Sequence, residues 1–172
     1  MSLPWANIRL FAMDVDGILT DGRVGISAAP DEEMKFFSVL DGLGLTRVLK
    51  SGVALAWISG RQSGATSRRA GELKIPYLIQ GRTDKLSALQ ELATQLALSP
   101  GQCVYMGDDD IDTPAIQWAG IGVTVPTAMP SPLAASHYIT TRPAGYGAVR
   151  EICELILLAQ SPLAGAPGKG HL

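Results

Sequence analysis

Short runs of apolar residues alternate with longer amphipathic segments along most of the chain. The apolar runs have the length of buried strands and the amphipathic segments have the length of helices, a combination typical of an α/β domain with a mainly parallel sheet. We therefore predict a Rossmann-like, three-layer α/β/α sandwich. The predicted strands are residues 9–13, 54–58, 77–79, 103–106, 122–125 and 137–139, and the predicted helices are residues 42–51, 63–71, 85–96, 114–119 and 148–160.

One segment interrupts this alternation between the first strand and the first helix. Residues 23–27 and 33–39 are strand-like, and a turn through residues 28–31 separates them. This pattern predicts a small β-hairpin inserted before the first helix. No other stretch has room for a second domain, so we predict one domain over residues 1–160. Residues 161–172 are rich in Gly, Pro and Ala and predict a flexible tail.

The composition supports a folded core and limits the classes of partner. Hydrophobic residues make up 47% of the chain and charged residues 17%, which is inconsistent with a disordered protein. The net charge of −2 gives no broad basic surface, so we expect neither nucleic acid nor a membrane as partner. Cys103 and Cys153 match neither a disulfide framework nor a metal-ligand spacing. No segment is apolar over about 18 residues, the length of a membrane span, and we expect a cytoplasmic protein.

The first predicted strand ends in an acidic pair, Asp14 and Asp16. Residues two apart in an extended chain point to the same side, so both carboxylates lie together at the carboxyl end of the strand, where open α/β sheets bind ligands. A hard divalent cation such as Mg²⁺ would offset their repulsion. The alternative is an acidic turn that ends the strand, which explains a single Asp before Gly17 better than it explains the pair.

A second acidic cluster, Asp108, Asp109, Asp110 and Asp112, follows the predicted strand at residues 103–106. If both strands are central and parallel, these acids reach the same edge of the sheet as the first pair. The alternative is capping of the next helix, which would employ one of the acids. Capping leaves the crowding of four like charges unexplained, because such crowding is costly without a cation.

Two polar residues between the acidic clusters occupy positions suited to phosphate binding. Ser59 follows a strand and precedes a helix, where a hydroxyl and free backbone N–H groups can hold a phosphate. Lys85 opens a helix, where its charge is unfavourable toward the helix dipole unless it pairs with an acid or a phosphate. Taken singly, Ser59 fits a helix cap and Lys85 a solvated surface residue. Their order after successive strands favours a phosphate site.

The order of these motifs resembles that of the haloacid dehalogenase superfamily of aspartyl phosphotransferases. Four motifs span Asp14 to Asp112, and the hydrophobic framework extends the match to residue 160. More narrowly, the chain is similar to capless sugar-acid phosphatases that act on 3-deoxy-D-manno-octulosonate 8-phosphate. The residues of this narrower resemblance are Asp14-Val15-Asp16-Gly17, Thr20-Asp21-Gly22, Asp41-Gly42-x-Gly44, Gln80-Gly81-x-x-Asp84-Lys85, Gly107-Asp108-Asp109-x-Ile111-Asp112 and Gly145-x-Gly147-Ala148-Val149-Arg150-Glu151.

The resemblance implies a haloacid dehalogenase-like fold and a two-step phosphatase mechanism. Asp14 would attack phosphorus to form an aspartyl-phosphate, and Asp16 would protonate the leaving sugar oxygen and then activate water. Ser59 and Lys85 would neutralise the phosphoryl oxygens. The implied Mg²⁺ ligands are the carboxylates of Asp14 and Asp108 and the backbone carbonyl of Asp16, with Asp109 and Asp112 supporting the site.

The resemblance also implies a sugar site lined by Ser38, Asp41 and Gly42. Arg61 and Arg69 would be available for a carboxylate or a phosphate, although solvated helix surface is an equal alternative for Arg69. The favoured substrate is 3-deoxy-D-manno-octulosonate 8-phosphate, which would place the protein in lipopolysaccharide precursor synthesis. An N-acylneuraminate or other nonulosonate 9-phosphate stays an alternative, because some relatives have Arg at two positions where this chain has Leu40 and Thr46.

The space between the motifs leaves room for the hairpin and for no large cap. A core without a cap holds a site that is open to water. In the resembling family the hairpin packs in a homotetramer and a neighbouring subunit helps to close the site, so we expect a homotetramer with residues 24–37 at its interface. The rival hypothesis is a non-enzymatic phosphoryl switch that resembles a bacterial receiver domain. A receiver has its phosphoacceptor after a middle strand, whereas this acidic pair follows the first strand.

Overall fold

The computed structural model describes residues 3–28 and 33–161. Its strands are β1 (Leu10–Met13), β2 (Gly25–Ile26), β3 (Glu33–Met34), β4 (Ala54–Ser59), β5 (Tyr77–Gln80), β6 (Cys103–Met106), β7 (Ile121–Thr124) and β8 (Tyr138–Ile139). Its helices are α1 (Val39–Lys50), α2 (Gly64–Leu73), α3 (Lys85–Gln95), α4 (Thr113–Trp118), α5 (Pro130–Ala135) and α6 (Ala148–Gln160). Short 3₁₀ turns lie at Trp5–Asn7, Pro100–Gln102 and Asp110–Asp112.

Six of the strands form one parallel sheet in the order β5-β4-β1-β6-β7-β8. The central strand β1 pairs with β4 on one side and with β6 on the other, so that Met13 lies between Trp57 and Met106. Helices cover both faces of the sheet. The predicted three-layer sandwich with a parallel sheet is therefore confirmed.

The continuous apolar runs of the central strands follow from this arrangement. Phe11 and Met13 belong to the core on the side of α1, α2 and α6, whereas Leu10 and Ala12 belong to the core on the side of α3 and α4. All four side chains are fully buried. Strands covered by helices on both faces read as unbroken apolar runs because neither set of alternating side chains meets water.

The inserted hairpin is shorter than predicted. Strands β2 and β3 pair antiparallel over two residues each and form a sheet of their own. The prediction of a strand over residues 33–39 is wrong beyond Met34, because α1 begins at Val39, three residues before the predicted start. Ser38 caps this helix, and its hydroxyl accepts a hydrogen bond from the backbone N–H of Asp41 at 3.4 Å. Most of the predicted turn, residues 29–31, lies outside the described residues.

Two further points concern the carboxyl-terminal part of the chain. The sequence analysis did not predict helix α5, which begins at Pro130, a residue compatible with the first turn of a helix. The predicted tail lies outside the described residues from position 162 onward. Within the part of the chain that the structure describes, no helix has the length and apolar character needed to cross a membrane.

Candidate active site

The carboxyl ends of β4, β1 and β6 lie side by side and bring the predicted motifs to one edge of the sheet. Asp14 directly follows β1, Ser59 ends β4, and Asp108 lies two residues after β6. The backbone N–H of Asp14 donates to the carbonyl of Met106 at 2.9 Å, which ties the first acidic motif to the strand before the second. The sheet order therefore joins motifs that are 45 or more residues apart in sequence.

Lys85 is a buried cation held between two carboxylates. Its side chain is fully buried, and its Nζ lies 2.8 Å from Asp14 Oδ1 and 3.1 Å from Asp112 Oδ1. Burial favours the neutral amine, but the charges of Asp14 and Asp112 outweigh it and raise the pKa of Lys85. The alternative of a solvated surface lysine is thus wrong, and Lys85 is a fixed positive charge beside Asp14.

Asp112 has every carboxylate oxygen engaged by protein donors. Oδ1 accepts from Tyr105 Oη at 2.7 Å in addition to Lys85, and Oδ2 accepts from the backbone N–H groups of Asp108 and Asp109 at 3.2 Å each. These contacts fold the acidic loop and orient Lys85. Asp112 thus binds Lys85 and the acidic loop, and its predicted part in supporting the metal stays a prediction.

Asp109 lies at the start of the same turn. Its side chain is exposed and accepts from the backbone N–H of Asp110 at 2.7 Å, which caps the 3₁₀ turn Asp110–Asp112. The capping alternative concerned the next helix, α4, which has no side-chain cap hydrogen bond. The predicted part of Asp109 in supporting the metal stays a prediction.

Asp108 has a buried oxygen without a partner. Among the described residues, Oδ1 of Asp108 has no hydrogen-bond partner. The other oxygen, Oδ2, lies against Gly17, where a side chain would collide with it and where φ is +87°. Only glycine fits this position, because the carboxylate approaches the backbone closely and the residue adopts a left-handed conformation. An unpartnered buried carboxylate oxygen is costly, and a cation would satisfy it.

Electrostatics in the cluster favour a cation as well. Burial and the charge of Asp112 raise the pKa of Asp14 to about 6, although Lys85 opposes the shift. Burial and the charges of Asp14 and Asp112 raise the pKa of Asp108 to about 7. Oxygens of these three carboxylates lie within 4.8 Å of one another. Their mutual repulsion would be relieved by a hard divalent ion, whose preferred ligands are carboxylate and carbonyl oxygens.

Asp16 lies at the rim of this cluster and pairs with a lysine that the sequence analysis missed. Lys35 Nζ is 2.7 Å from Asp16 Oδ1, and its side chain is fully buried. Arg61, which is half exposed, has its Nε 3.9 Å from Asp16 Oδ2. The available signal was a single lysine inside the apolar segment around Met34 and Phe36.

Ser59 is buried at the end of β4, in the position expected for a phosphate ligand. Its Oγ accepts from the backbone N–H of Arg61 at 3.2 Å, so the hydroxyl orders the loop that leads to α2. Ser63, four residues later, caps α2 through the N–H of Thr66. Ser59 is therefore not the cap of the following helix, and its contact with phosphate stays a prediction.

Four of the five predicted sugar contacts, all except Arg61, gather at a different place, between α1 and its neighbours. Ser38, Asp41, Gly42 and Arg69 line one narrow cavity. Asp41 is buried, and its carboxylate accepts backbone N–H groups of Gly147 and Arg150 at the start of α6, at 3.3 and 2.7 Å. Burial raises the pKa of Asp41, with the two N–H donors opposing the shift. The carboxylate thus joins two helices, and a contact between this cluster and a sugar stays a prediction.

A separate open groove of about 1250 Å³ has no residue of either acidic motif in its lining. It is lined by the β2–β3 hairpin and the amino-terminal part of α2, including Met34, Arg61 and Arg68. Of the acids discussed above, the groove approaches only Asp16, through Arg61.

Comparisons with known proteins identify the family to which the chain belongs. A family model described as haloacid dehalogenase-like hydrolase matches residues 46–152. The 3-deoxy-D-manno-octulosonate 8-phosphate phosphatase of Yersinia pestis is 45% identical over 163 residues, which cover 95% of this chain and 87% of the relative.

Solved structures show the same similarity. The 3-deoxy-D-manno-octulosonate 8-phosphate phosphatase of Moraxella catarrhalis, in complex with magnesium ion, phosphate ion and KDO, is 49% identical with a TM-score of 0.88, covering 91% of this chain and 89% of that one. The cobalt-bound phosphatase of Haemophilus influenzae is 34% identical with a TM-score of 0.86, covering 91% of each chain.

Proposed function

The chain belongs to the haloacid dehalogenase-like hydrolases, and from this membership we propose that it is a Mg²⁺-dependent phosphatase of 3-deoxy-D-manno-octulosonate 8-phosphate. It is a hydrolase of phosphoric monoesters, so the rival hypothesis of a non-enzymatic switch is wrong. The observation that carries the proposal is the buried pair of Lys85 and Asp14 beside the unpartnered carboxylate of Asp108. This arrangement combines a nucleophile, a fixed positive charge and ligands for a cation.

The residues present fit a magnesium ion. We assign the carboxylates of Asp14 and Asp108 and the backbone carbonyl of Asp16 as its ligands, with Asp112 and Asp109 supporting the loop. Unpartnered Oδ1 of Asp108 supports this assignment, as do the raised pKa values of Asp14 and Asp108. When bound, the ion would neutralise charge on the carboxylates and the phosphoryl oxygens, which would reduce the repulsion between the Asp14 carboxylate and the phosphate that it attacks.

In the first step, a carboxylate oxygen of Asp14 attacks phosphorus. A bond from Asp14 to phosphorus forms, the bond from phosphorus to the sugar oxygen breaks, and Asp16 donates its proton to that oxygen. Lys85 keeps its positive charge beside the reacting carboxylate, and Ser59 donates from the neighbouring strand end. Their contribution is to orient and neutralise the phosphoryl oxygens, since phosphoryl transfer depends mainly on positioning and charge.

In the second step, Asp16 takes a proton from water, which attacks the aspartyl-phosphate. The bond from phosphorus to Asp14 breaks, inorganic phosphate leaves, and both carboxyl groups return to their starting protonation states. The net reaction consumes one water and one ester and releases one alcohol and one phosphate. No other group is required to balance the two steps.

The substrate proposal rests on the similar enzymes together with the position of Arg61. The similar proteins from Yersinia pestis and Moraxella catarrhalis are named for this substrate, and the latter holds KDO. Arg61 lines the open groove next to Asp16, where a guanidinium can pair with the carboxylate of a sugar acid. Hydrolysis of this ester would place the protein in lipopolysaccharide precursor synthesis.

A homotetramer is part of the proposal. Six exposed apolar side chains form what we call the hairpin–α1 face: Ile26, Met34, Phe36, Val39, Leu40 and Leu43. Exposed apolar residues grouped in this way mark an interaction surface. A two-stranded hairpin is also marginally stable by itself, so packing against further copies of the chain would stabilise it. A neighbouring subunit on this face would lie beside the open groove.

Phosphate release in the presence of Mg²⁺ tests the substrate. The octulosonate 8-phosphate, an N-acylneuraminate 9-phosphate and glucose 6-phosphate would be compared by kcat/KM. We expect a preference of about 10-fold or more for the octulosonate, the range that a few specific contacts provide. Equal rates on all three esters would contradict the substrate proposal, and a preference for the neuraminate would establish the alternative.

A further inference from the structure

Lys35 is a buried ammonium group that the mechanism above does not use. Its Nζ lies 2.7 Å from Asp16 Oδ1 and 3.2 Å from Glu33 Oε1, and it donates to Thr66 Oγ1 at 3.3 Å. It donates a hydrogen bond to Asp16 Oδ2 at 2.9 Å, whereas Oδ1 is in ion-pair contact but has no hydrogen-bond partner among the described residues. The side chain has no exposed surface.

These contacts leave Lys35 no means of binding a substrate. The ammonium donates hydrogen bonds to Asp16 and Thr66 and lies within ion-pair distance of Glu33, and its side chain has no exposed surface. Burying a lysine is costly unless it is paired, and here two carboxylates and a hydroxyl compensate the cost. A cation held in this way fixes the groups around it.

We propose that Lys35 is a positioning residue that fixes the carboxylate of Asp16 for proton transfer to the leaving group. The inference rests on the proposed function, because it takes Asp16 as the general acid and base. Asp16 lies at the rim of the site, where its side chain is 20% exposed. Lys35 restricts such a carboxylate to one orientation, and Thr66 on α2 restricts Lys35 in turn.

The direction of neighbouring side chains supports this role. Met34 and Phe36 point to solvent and are 60% and 69% exposed, whereas Lys35 points to Asp16. Phe37 stacks on Trp57 of β4 with ring centroids 6.2 Å apart. The inward side chains dock the segment onto the sheet, and the outward ones belong to the hairpin–α1 face. Lys35 therefore connects the proposed subunit interface to the general acid.

Two esters with different leaving groups test the inference. An alkyl ester, the octulosonate 8-phosphate, needs a proton on its leaving oxygen, whereas p-nitrophenyl phosphate has a stable leaving anion. We expect Lys35→Met to lower kcat/KM for the alkyl ester by about 10- to 100-fold, the cost of a misplaced catalytic group, and to lower that for p-nitrophenyl phosphate by less than about 3-fold. The parameter kcat/KM reports ester cleavage and not the later attack of water.

A double-mutant cycle separates positioning from general damage. In an Asp16→Ala background, Lys35→Met is expected to cause no further loss with the alkyl ester, because the group that it positions is already absent. Retained cleavage of p-nitrophenyl phosphate by the double variant shows that the fold is intact. Lys50→Met, which removes an exposed lysine of α1, is the matched control and should leave the ratio between the two esters unchanged.

Three results would overturn the inference. The first is an equal loss of kcat/KM on both esters in Lys35→Met, and the second is a further loss when Lys35→Met is added to Asp16→Ala. The third is weaker inhibition of Lys35→Met by inorganic phosphate, which would indicate a direct contact between Lys35 and phosphate. Failure of the substrate proposal would give a different result, because the wild-type protein would then show no preference for the octulosonate 8-phosphate. In that case the same ratio is measured with whichever alkyl ester the wild type cleaves, and an unchanged ratio still overturns the role of Lys35.

Discussion

Two lysines, Lys85 and Lys35, show how the environment of a residue decides its chemistry. Each is fully buried between two carboxylates, Lys85 between Asp14 and Asp112 and Lys35 between Asp16 and Glu33. The position of Lys85 at a helix start after a polar turn made it a candidate. Lys35 gave little signal, because its pairing depends on how the hairpin docks on the sheet.

Replacement of the nucleophile is the direct test of the mechanism. Asp14→Asn retains the shape of the side chain but removes the attacking anion. We expect turnover to fall on the order of 10³-fold or more, as for other nucleophile removals. Phosphate release would be measured with Asp110→Asn as control, since Asp110 is an exposed acid of the neighbouring loop. A variant that kept a substantial fraction of the activity would show that Asp14 is not the nucleophile.

The close approach of Asp108 to Gly17 allows a test of the proposed metal site. In Gly17→Ala the new methyl group collides with the carboxylate of Asp108, so we expect the Mg²⁺ concentration for half-maximal activity to rise by about 10-fold or more. Gly22→Ala is the matched control. Gly22 also has a positive φ, +82°, but the nearest atom to its added methyl group is 3.7 Å away. Equal Mg²⁺ requirements in both variants would contradict the assignment of Asp108 as a ligand.

At the scale of elements, the site depends on how loops and helices are joined. Helix α1 begins beside the hairpin, and its buried Asp41 accepts two backbone N–H groups at the start of α6. Free N–H groups at the start of a helix need acceptors. Gly147, the residue before α6, has no side chain that could accept them, so Asp41 of α1 supplies the acceptor. This junction links the insertion to the carboxyl-terminal helix.

Removal of Asp41 would break that junction. We expect Asp41→Ala to destabilise the fold by about 1–3 kcal/mol, because buried N–H groups of α6 lose their acceptor. Thermal unfolding would measure the loss, with Glu154→Gln on the exposed side of α6 as control, where surface ion pairs contribute less than about 1 kcal/mol. A rise in KM with unchanged stability would instead support the predicted contact between Asp41 and the sugar.

At the scale of the whole molecule, the exposed hairpin–α1 face adjoins the open groove, since Ile26 and Met34 belong to both. A site without a large cap excludes water poorly, and the apolar face offers a surface on which a second copy can cover the groove. If the proposed tetramer forms, the enclosure of the site depends on assembly.

Light scattering after size exclusion tests the assembly. We expect a tetramer for the wild type and smaller species for the double substitution Met34→Asp and Phe36→Asp, which buries charge in the proposed interface. Leu158→Asp is the control, because Leu158 is 70% exposed on α6 and lies outside the hairpin–α1 face. A wild-type protein that is monomeric at assay concentration would contradict the tetramer.

Metal removal is expected to change how stability depends on pH. The raised pKa values of Asp14, about 6, and Asp108, about 7, mean that the metal-free fold holds protons more tightly than the unfolded chain, so stability falls as pH rises from about 4 to about 7. Mg²⁺ binds the deprotonated carboxylates, so its stabilising effect should grow over the same range.

Thermal unfolding with Mg²⁺ and with a chelator would measure this difference. At about 100-fold above its dissociation constant, a ligand stabilises by about 2.7 kcal/mol, equivalent to about 5–11 °C in a chain of this size. Asp108→Asn removes the unpartnered ligand and serves as the control. An equal Mg²⁺ effect at low and neutral pH, or in the variant, would contradict the site.

The sequence by itself determined the parallel sheet and the two acidic motifs. Unbroken apolar runs report burial on both faces, and acids placed after such runs fall at the carboxyl edge of the sheet whatever the details of the loops. Local pattern is sufficient for these features because strand periodicity and strand ends are properties of neighbouring residues.

Only the tertiary structure decided which charges meet. Lys35 reaches Asp16 across 19 positions, and Asp41 reaches Gly147 across 106. Such pairings depend on how the hairpin and the helices pack, so the local pattern indicated neither the pairing of Lys35 nor the junction that Asp41 makes between two helices. Burial turns these pairs into fixed elements of the site, because a buried charge persists only where the fold supplies its partner.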